Sequence, residues 1–294
     1  MNSACSRLSD LPEDIGGTIF EEVVWDQEPS SWQVALVSKR IQSWVEPVLY
    51  RRVFLDKRAK LIAFHSSVVS HPTKPPNFFA MHVKSLAILN NSFPTSEQIS
   101  MILQECKGVQ ILLIRVIPCL LFGAGLPPEF RVAFSMPLKR LSILLPGIKY
   151  LPHSSLRGLT HLELLFMTMD PACASWDWKG LEVMESLTHL CVRGPYEVAG
   201  SVAESGAFIR PALLVIPRRV RVIVLWVIAA SLEGVEEVSG MDPRIIVLKA
   251  PELRTYCNSV EFGENPSFTM LQSYVDIKEE LTLDSPEEQI LETG

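Results

Sequence analysis

The sequence is poor in the features that indicate a secreted or nucleic-acid-binding protein. Charged residues make up 20% of its 294 positions, and acidic residues outnumber basic ones by 33 to 27. The resulting net charge of −6 argues against a nucleic-acid partner, which would require a basic face. The 6 cysteines are scattered singly with no C-x-x-C pair, a pattern typical of reduced thiols in a cytoplasmic or nuclear protein. Residues 1–13 lack both a basic start and an apolar stretch, so we expect no secretory signal.

Long uncharged apolar runs are also missing. Residues 109–126 contain Arg115 and Pro118, and residues 212–230 contain Pro217 and three arginines. A membrane-spanning helix needs about 20 predominantly apolar residues with few or no charges. We therefore expect both stretches to lie in a buried core, and we expect no membrane partner.

The first fifty residues have the pattern of a compact set of short helices. Apolar residues recur at helical spacing from Leu11 to Phe20. A serine before Trp32 can cap a second short helix. Pro47 is expected to restart the chain, and an extended run at Arg52–Leu55 closes the pattern.

Gly16 and Gly17 stand in the middle of the first predicted helix. Each costs about 1 kcal/mol relative to alanine in a helix interior. We therefore expect this helix to depend on its packing partners.

Several short phrases of this stretch fall in a recognisable order. They are Leu11-Pro12-Glu13-Asp14-Ile15, Ile19-Phe20, Leu36-Val37-Ser38-Lys39-Arg40, Trp44 and Pro47-Val48-Leu49-Tyr50-Arg51. Together they resemble an F-box. The resemblance implies docking to the small adaptor subunit of a cullin–RING (SCF) ubiquitin ligase. The matching adaptor-contact or module-core positions are Leu11, Pro12, Ile15, Ile19, Leu36, Val37 and Trp44.

From residue 82 onward a short apolar phrase returns at intervals. Its copies begin at Val83, Val109, Leu138, Leu159 and Leu187, with weaker copies at Val220 and Arg244. The pattern L-x-x-L-x-L at a spacing of roughly 21 to 33 residues is that of leucine-rich repeats, each one short strand plus a return segment. A capped helix with an apolar stripe from Ile99 to Cys106 lies between the first two copies, and repeating strand–helix units predict a parallel sheet.

These patterns predict an α/β protein with four regions. The regions are an F-box-like helical module at 8–55, a connecting helix and proline-rich linker at 56–77, an irregular leucine-rich-repeat-like solenoid with a parallel sheet at 78–277, and an acidic tail at 278–294. With the repeats in place, the whole chain resembles the F-box proteins with degenerate leucine-rich repeats that are abundant in mushroom-forming fungi.

Alternation along the repeat strands predicts an open binding face. Pattern residues face the core, and the residues between them face the concave side. The polar members of that side are the predicted contacts for a substrate protein: Arg115, Arg140, His161, Glu163, His189 and Arg193. Near residues 222–226 both sides are apolar, so we expect the later repeats to be covered and the earlier ones to carry the open surface.

The sequence contains no constellation that indicates catalysis, a metal or a cofactor. His161 and Glu163 lack the spacing of metal ligands, and the carboxylates form no defensible pair. The resemblance therefore implies a non-enzymatic subunit, cytoplasmic or nuclear, that binds a ligase adaptor and an unknown substrate protein. The alternative is a repeat-based scaffold protein whose F-box-like module only caps the apolar end of the repeats.

Overall fold

The structure of the chain, a computed structural model, describes the greater part of its first 249 residues. These residues are 12–26, 31–70, 74–89, 96–114, 135–144, 156–165, 178–193, 202–227 and 234–249. The chain divides into two compact units, one comprising Met1–Leu159 with Val183–Glu185 and the other comprising Thr160–Glu182 with Ser186–Gly294. The N-terminal helical segments and the first strands share one unit.

The first unit opens with three short helical segments. Helix α1 spans Glu13–Asp26, a 3-10 helix spans Ser31–Leu36, and helix α2 spans Lys39–Leu49. Ser38 caps α2, since its hydroxyl oxygen accepts a hydrogen bond of 3.2 Å from the Ile41 amide.

Pro47 corrects one prediction, because it lies inside α2 and does not restart the chain. It stands in the last turn, where the ring removes only one backbone donor. The helix continues to Leu49, and the Tyr50 amide still donates to the Glu46 carbonyl at 3.0 Å.

The two helix glycines lie beneath the indole of Trp44. A Cβ atom on Gly16 would stand 3.0 Å from Trp44 Cη2, whereas one on Gly17 would stand 3.9 Å from the nearest ring atom. The ring centroids of Phe20 and Trp44 are 6.2 Å apart on the same side of the module. The absence of a side chain on Gly16 therefore lets α1 and α2 approach closely.

The rest of the first unit alternates strands and helices. Its elements are β1 (Arg52–Leu55), α3 (Arg58–Val69), α4 (Phe78–His82), β2 (Ser85–Ile88), α5 (Ser96–Glu105), β3 (Ile111–Ile114) and β4 (Arg140–Leu144). Strands β1 to β4 pair in chain order and are parallel. The extended run predicted at the end of the module is β1, which is therefore the first strand of this parallel set.

The second unit repeats the same alternation. Its elements are β5 (His161–Leu165), a 3-10 helix (Trp178–Leu181), β6 (His189–Arg193), α6 (Val202–Leu213), β7 (Val222–Val227), α7 (Val235–Ser239) and β8 (Ile245–Lys249). Strands β5 to β8 are also parallel and pair in chain order. The predicted α/β class, with parallel strands at the repeated phrase, is thus confirmed.

Arginine side chains tie successive segments of the second unit together. Arg244 forms a forked ion pair with Asp242, at 2.9 Å from Nε to Oδ1 and 2.8 Å from Nη2 to Oδ2. Its Nη1 donates to the carbonyls of Pro217 and Val220, at 3.0 and 3.1 Å. Arg219 likewise donates to two carbonyls of an earlier segment. Each of these bonds joins a guanidinium to the backbone of a different segment, so the arginines connect segments that are distant in sequence.

Candidate interaction surfaces

The N-terminal module carries a set of large apolar side chains in solvent. We call this set the module apolar face, and its members with their exposed fractions are Ile15 (46%), Ile19 (44%), Trp32 (54%), Leu36 (72%) and Val37 (67%). Single exposed apolar residues are ordinary on a protein surface, but a group of them on one small module indicates an interaction site.

The local helix geometry explains this exposure. Ile15 and Ile19 are four residues apart on α1, so they share one side of that helix. Gly16, Gly17 and Val24 are the buried positions among the described side chains of α1, and they face the module interior instead. The interior is completed mainly by Ile41 and Val45 of α2, and neither isoleucine packs against this cluster.

The predicted adaptor positions divide into two groups. Pro12 is exposed, as are Ile15, Ile19, Leu36 and Val37 of the module apolar face. Trp44 is half-buried against the cluster of Val24, Ile41 and Val45, so it is a module-core position. Leu11 lies outside the described residues.

Trp32 is an exposed member that the predicted contact list omitted. It stands in a 3-10 helix of 6 residues, which is too short to bury all its large side chains. A large aromatic residue in such a short segment is the signal that could have identified it. Trp32 also lines a groove of about 460 Å³ together with Ala35, Leu36, Gln42, Glu46, Leu49 and Tyr50.

The predicted polar strip for a substrate is wrong at two of its positions. Glu163 and Arg193 are both 0% exposed, so neither offers a side chain to a partner at the surface. Arg193 lies over the ring of Trp226, with Cζ 5.8 Å from the ring centroid. Trp226 in turn belongs to a buried cluster with Cys191, Val222 and Val224. Arg115 lies outside the described residues.

The earlier strands were expected to carry an open face, but the side chains on that side are buried in the middle of each strand. Ala87 (4%), Leu113 (2%) and Ser142 (0%) occupy the intervening positions of β2, β3 and β4, and all three are buried. They are direct register partners along the parallel set. Parallel strands that are apolar on both sides are normally covered on both sides. The predicted burial of Val222, Val224 and Trp226 in the later strands is confirmed.

His161 and His189 form a stacked pair in the second unit. Their ring centroids are 4.2 Å apart and the ring planes differ by 3°. Each Nδ1 lies 2.8 Å from the hydroxyl of the preceding threonine, Thr160 or Thr188. Because the Thr188 hydroxyl donates to the Thr160 carbonyl at 3.2 Å, its oxygen is left to accept from the Nδ1–H of His189.

This geometry does not resemble a metal site. The two imidazole rings are parallel and stacked face to face, whereas ligands of one tetrahedral ion point toward it from different directions. Among the residues that the structure describes, no group of three or more His, Cys, Asp or Glu side chains could hold a metal ion.

Arg140 is the half-buried member of the predicted strip in the first unit. Burial lowers the pKa of its guanidinium, but arginine titrates so far above neutrality that it keeps its charge. Arg140 is therefore a cation at the start of β4 with part of its surface in solvent.

Comparison with known proteins identifies no relative, so a function can be inferred only from the fold and from these surfaces. The chain matches no protein-family model, no curated protein and no solved structure. Within the described ranges, no helix combines the length and the apolar character needed to cross a bilayer.

Proposed function

We propose that this chain is a non-enzymatic interaction protein that serves as a substrate-recognition subunit of an SCF-type ubiquitin ligase. Its N-terminal module acts as the F-box and docks on the ligase adaptor. The parallel strand–helix segments act as a degenerate leucine-rich-repeat solenoid that holds a substrate protein. Such a subunit works by raising the effective concentration of its substrate near the catalytic components.

The observation that carries this proposal is the module apolar face. Five large apolar side chains stand 44% to 72% exposed on the small N-terminal module. The members include Ile15, Ile19, Leu36 and Val37, which the F-box resemblance had assigned to the adaptor. Removing such side chains from water against a partner supplies the binding free energy that the module cannot obtain internally.

The burial of Glu163 and Arg193 changes the proposal for the substrate surface. The predicted substrate contacts that keep some exposure are Arg140 in the first unit and, separately, His161 and His189 in the second unit, each at the start of a strand. Loops and element ends carry binding residues in many repeat proteins, because the strands between them are fixed by packing.

Co-expression of the full chain with a fungal SCF adaptor tests the docking function. We expect a complex that survives size-exclusion chromatography. Replacing Ile15 and Ile19 together by alanine should lower the affinity about thirtyfold or more, because truncating central apolar contacts is costly. The same change should leave the thermal midpoint nearly unaltered, because both side chains are exposed in the free chain.

A matched control is Leu214→Ala in the second unit, since Leu214 is a leucine with 89% exposure outside the module. Its affinity for the adaptor should equal that of the wild-type chain. Failure of the wild-type chain to bind, or equal binding by the Ile15/Ile19 variant, would overturn the docking proposal.

The second candidate function is a repeat-based scaffold protein with the module as a structural cap. The pairing of β1 with β2 favours it, because the chain leaves the module directly into the strand set. A cap gives no complex with the adaptor. The two candidates are therefore separated by the same co-expression experiment.

A further inference from the structure

Lys74 is held almost out of solvent by two different parts of the first unit. Its Nζ lies 2.6 Å from Oε1 of Glu46 and 4.8 Å from the ring centroid of Tyr50. It also lies 4.7 Å from the ring centroid of Phe78. Glu46 and Tyr50 belong to α2 and its C-cap, whereas Phe78 begins α4. One cation thus contacts the module and the segment that leads into β2.

The rings under Lys74 are already fixed by other rings. Tyr50 meets Phe78 and Phe79 edge to face, with centroids 5.5 and 5.4 Å apart. Phe79 is itself packed edge to face on Phe64 of α3 at 5.7 Å. A cation over faces of such rings is attracted by their quadrupoles, the more strongly when water is excluded.

A second lysine of the same unit provides a comparison. Lys60 pairs with Asp56 at 3.0 Å and lies 5.4 Å from the Phe54 ring centroid. The Lys60 side chain is 38% exposed, whereas that of Lys74 is 10% exposed. Exposed pairs are weak because water screens them, so the same kinds of contact stabilise the structure more at Lys74.

We propose that Lys74 is a lock that joins helix α2 of the module to α4 and β2, so that these elements open together. The lock consists of Lys74, Glu46, Tyr50 and Phe78. Breaking it weakens the joint between α2 and α4, which then rests on the ring contacts of Tyr50, so that α2 opens more often while the strands stay closed. It also leaves a carboxylate and two ring faces without the cation that they surround.

The lock also bears on docking, in a step that rests on the proposed function. Glu46 and Tyr50 line the groove beside Trp32 and Leu36, and the lock sets their positions. A docked adaptor and a closed lock therefore favour one another, and such coupling is reciprocal.

Hydrogen exchange of the full chain, followed by mass spectrometry, tests the lock. In the wild-type chain, the slowest amides of α2 and of β2 should exchange at similar rates, because both report the same opening. Lys74→Met keeps the aliphatic stem and removes the charge. It should raise exchange in α2 about tenfold or more while β2 changes by less than twofold, since a desolvated cation–π contact and a charged hydrogen bond are both lost.

Lys60→Met is the matched control, and it should leave exchange in α2 unchanged. Glu46→Gln tests the same contact from the other side with a milder change, and it remains informative if Lys74→Met folds poorly. The double variant should exchange no faster than Lys74→Met alone, because both changes remove one interaction.

The lock is overturned if α2 exchange stays within twofold of wild type in Lys74→Met and Glu46→Gln. It is equally overturned if β2 accelerates as much as α2, since Lys74 would then stabilise the whole unit and not the joint. Adaptor affinity provides the second readout, and it should fall about fivefold in Lys74→Met. Absence of any adaptor complex with the wild-type chain would refute the docking function, while the exchange pattern would still decide the lock.

Discussion

Gly16 and Gly17 show how neighbouring identical residues carry different constraints. Both are buried in α1, and both were expected to weaken the helix by their low propensity. The position of the Trp44 ring distinguishes them, because only the Cβ position of Gly16 is crowded by that ring. Packing therefore requires a glycine at position 16. At position 17 the glycine lowers the helix propensity, and the packing would accept a side chain there.

This difference leads to a paired prediction. Gly17→Ala should raise the free energy of unfolding by about 0.5–1 kcal/mol, because alanine is the better helix former and its methyl group meets only ordinary contacts. Gly16→Ala should instead lower it by about 1 kcal/mol, because overpacking against Trp44 outweighs the propensity gain. Urea unfolding of the two variants measures both changes. Equal midpoints would contradict the close approach of α1 and α2.

At the scale of single elements, the strands are more uniformly buried than alternation suggests. On β5, Leu162 is 0% exposed on the core side and Leu165 is 2% exposed on the other side. The register places Leu165 beside Arg193, which is beside Trp226. Both sides of the strand therefore contribute to stability.

We expect Leu162→Ala and Leu165→Ala to lower the free energy of unfolding by similar amounts, each about 2–5 kcal/mol. The physical reason is that both changes leave a cavity among buried neighbours. Urea or thermal unfolding of the full chain provides the measurement. If Leu162→Ala lowered the free energy of unfolding by this amount and Leu165→Ala left it nearly unchanged, only one side of β5 would be packed, as the sequence pattern alone predicted.

Strand positions were predictable from the sequence because the repeated phrase combines β-branched residues and leucines at fixed offsets. Helix α3 was predictable for a related reason, since Leu61, Phe64 and Val68 recur at helical spacing and are all buried. In contrast, the burial of Arg193 involves Trp226, a residue from the next strand along the chain, and no local pattern encodes that contact.

The module surface was partly predictable for the same reason. Ile15 and Ile19 follow from their spacing in a local helix, so the sequence identified them as neighbours. The sequence around Lys74 is rich in proline and indicated only a linker between two regions. It gave no sign of the contacts that Lys74 makes. Its partners Glu46 and Tyr50 come from an earlier helix, and pairing across such a distance is decided by tertiary packing.

At the scale of the whole molecule, the module apolar face should govern how the free chain behaves in solution. Leu36 and Val37 are 72% and 67% exposed, so chains without a partner should associate weakly through this face at concentrations of tens of micromolar or more. Leu36→Lys should reduce that association, because it places a charge within the face.

Sedimentation velocity over a range of concentrations measures this effect. Leu214→Lys supplies the control, since it makes the same substitution at a leucine outside the module that is at least as exposed. Concentration-dependent sedimentation should persist in that control and be weaker in Leu36→Lys. Identical behaviour of the two variants would show that the module apolar face does not cause self-association.

The chain-order pairing of the strands has a consequence for biosynthesis. Within each unit, every strand finds its partner in the next copy of the repeated phrase, a few tens of residues further along the chain. No strand in such an arrangement depends on a partner that is synthesised much later. Domains that emerge first during synthesis can also fold first. On the ribosome, β1 can therefore pair as soon as β2 has left the exit tunnel. The helical segments that precede β1 would then be complete while the later strands are still being translated.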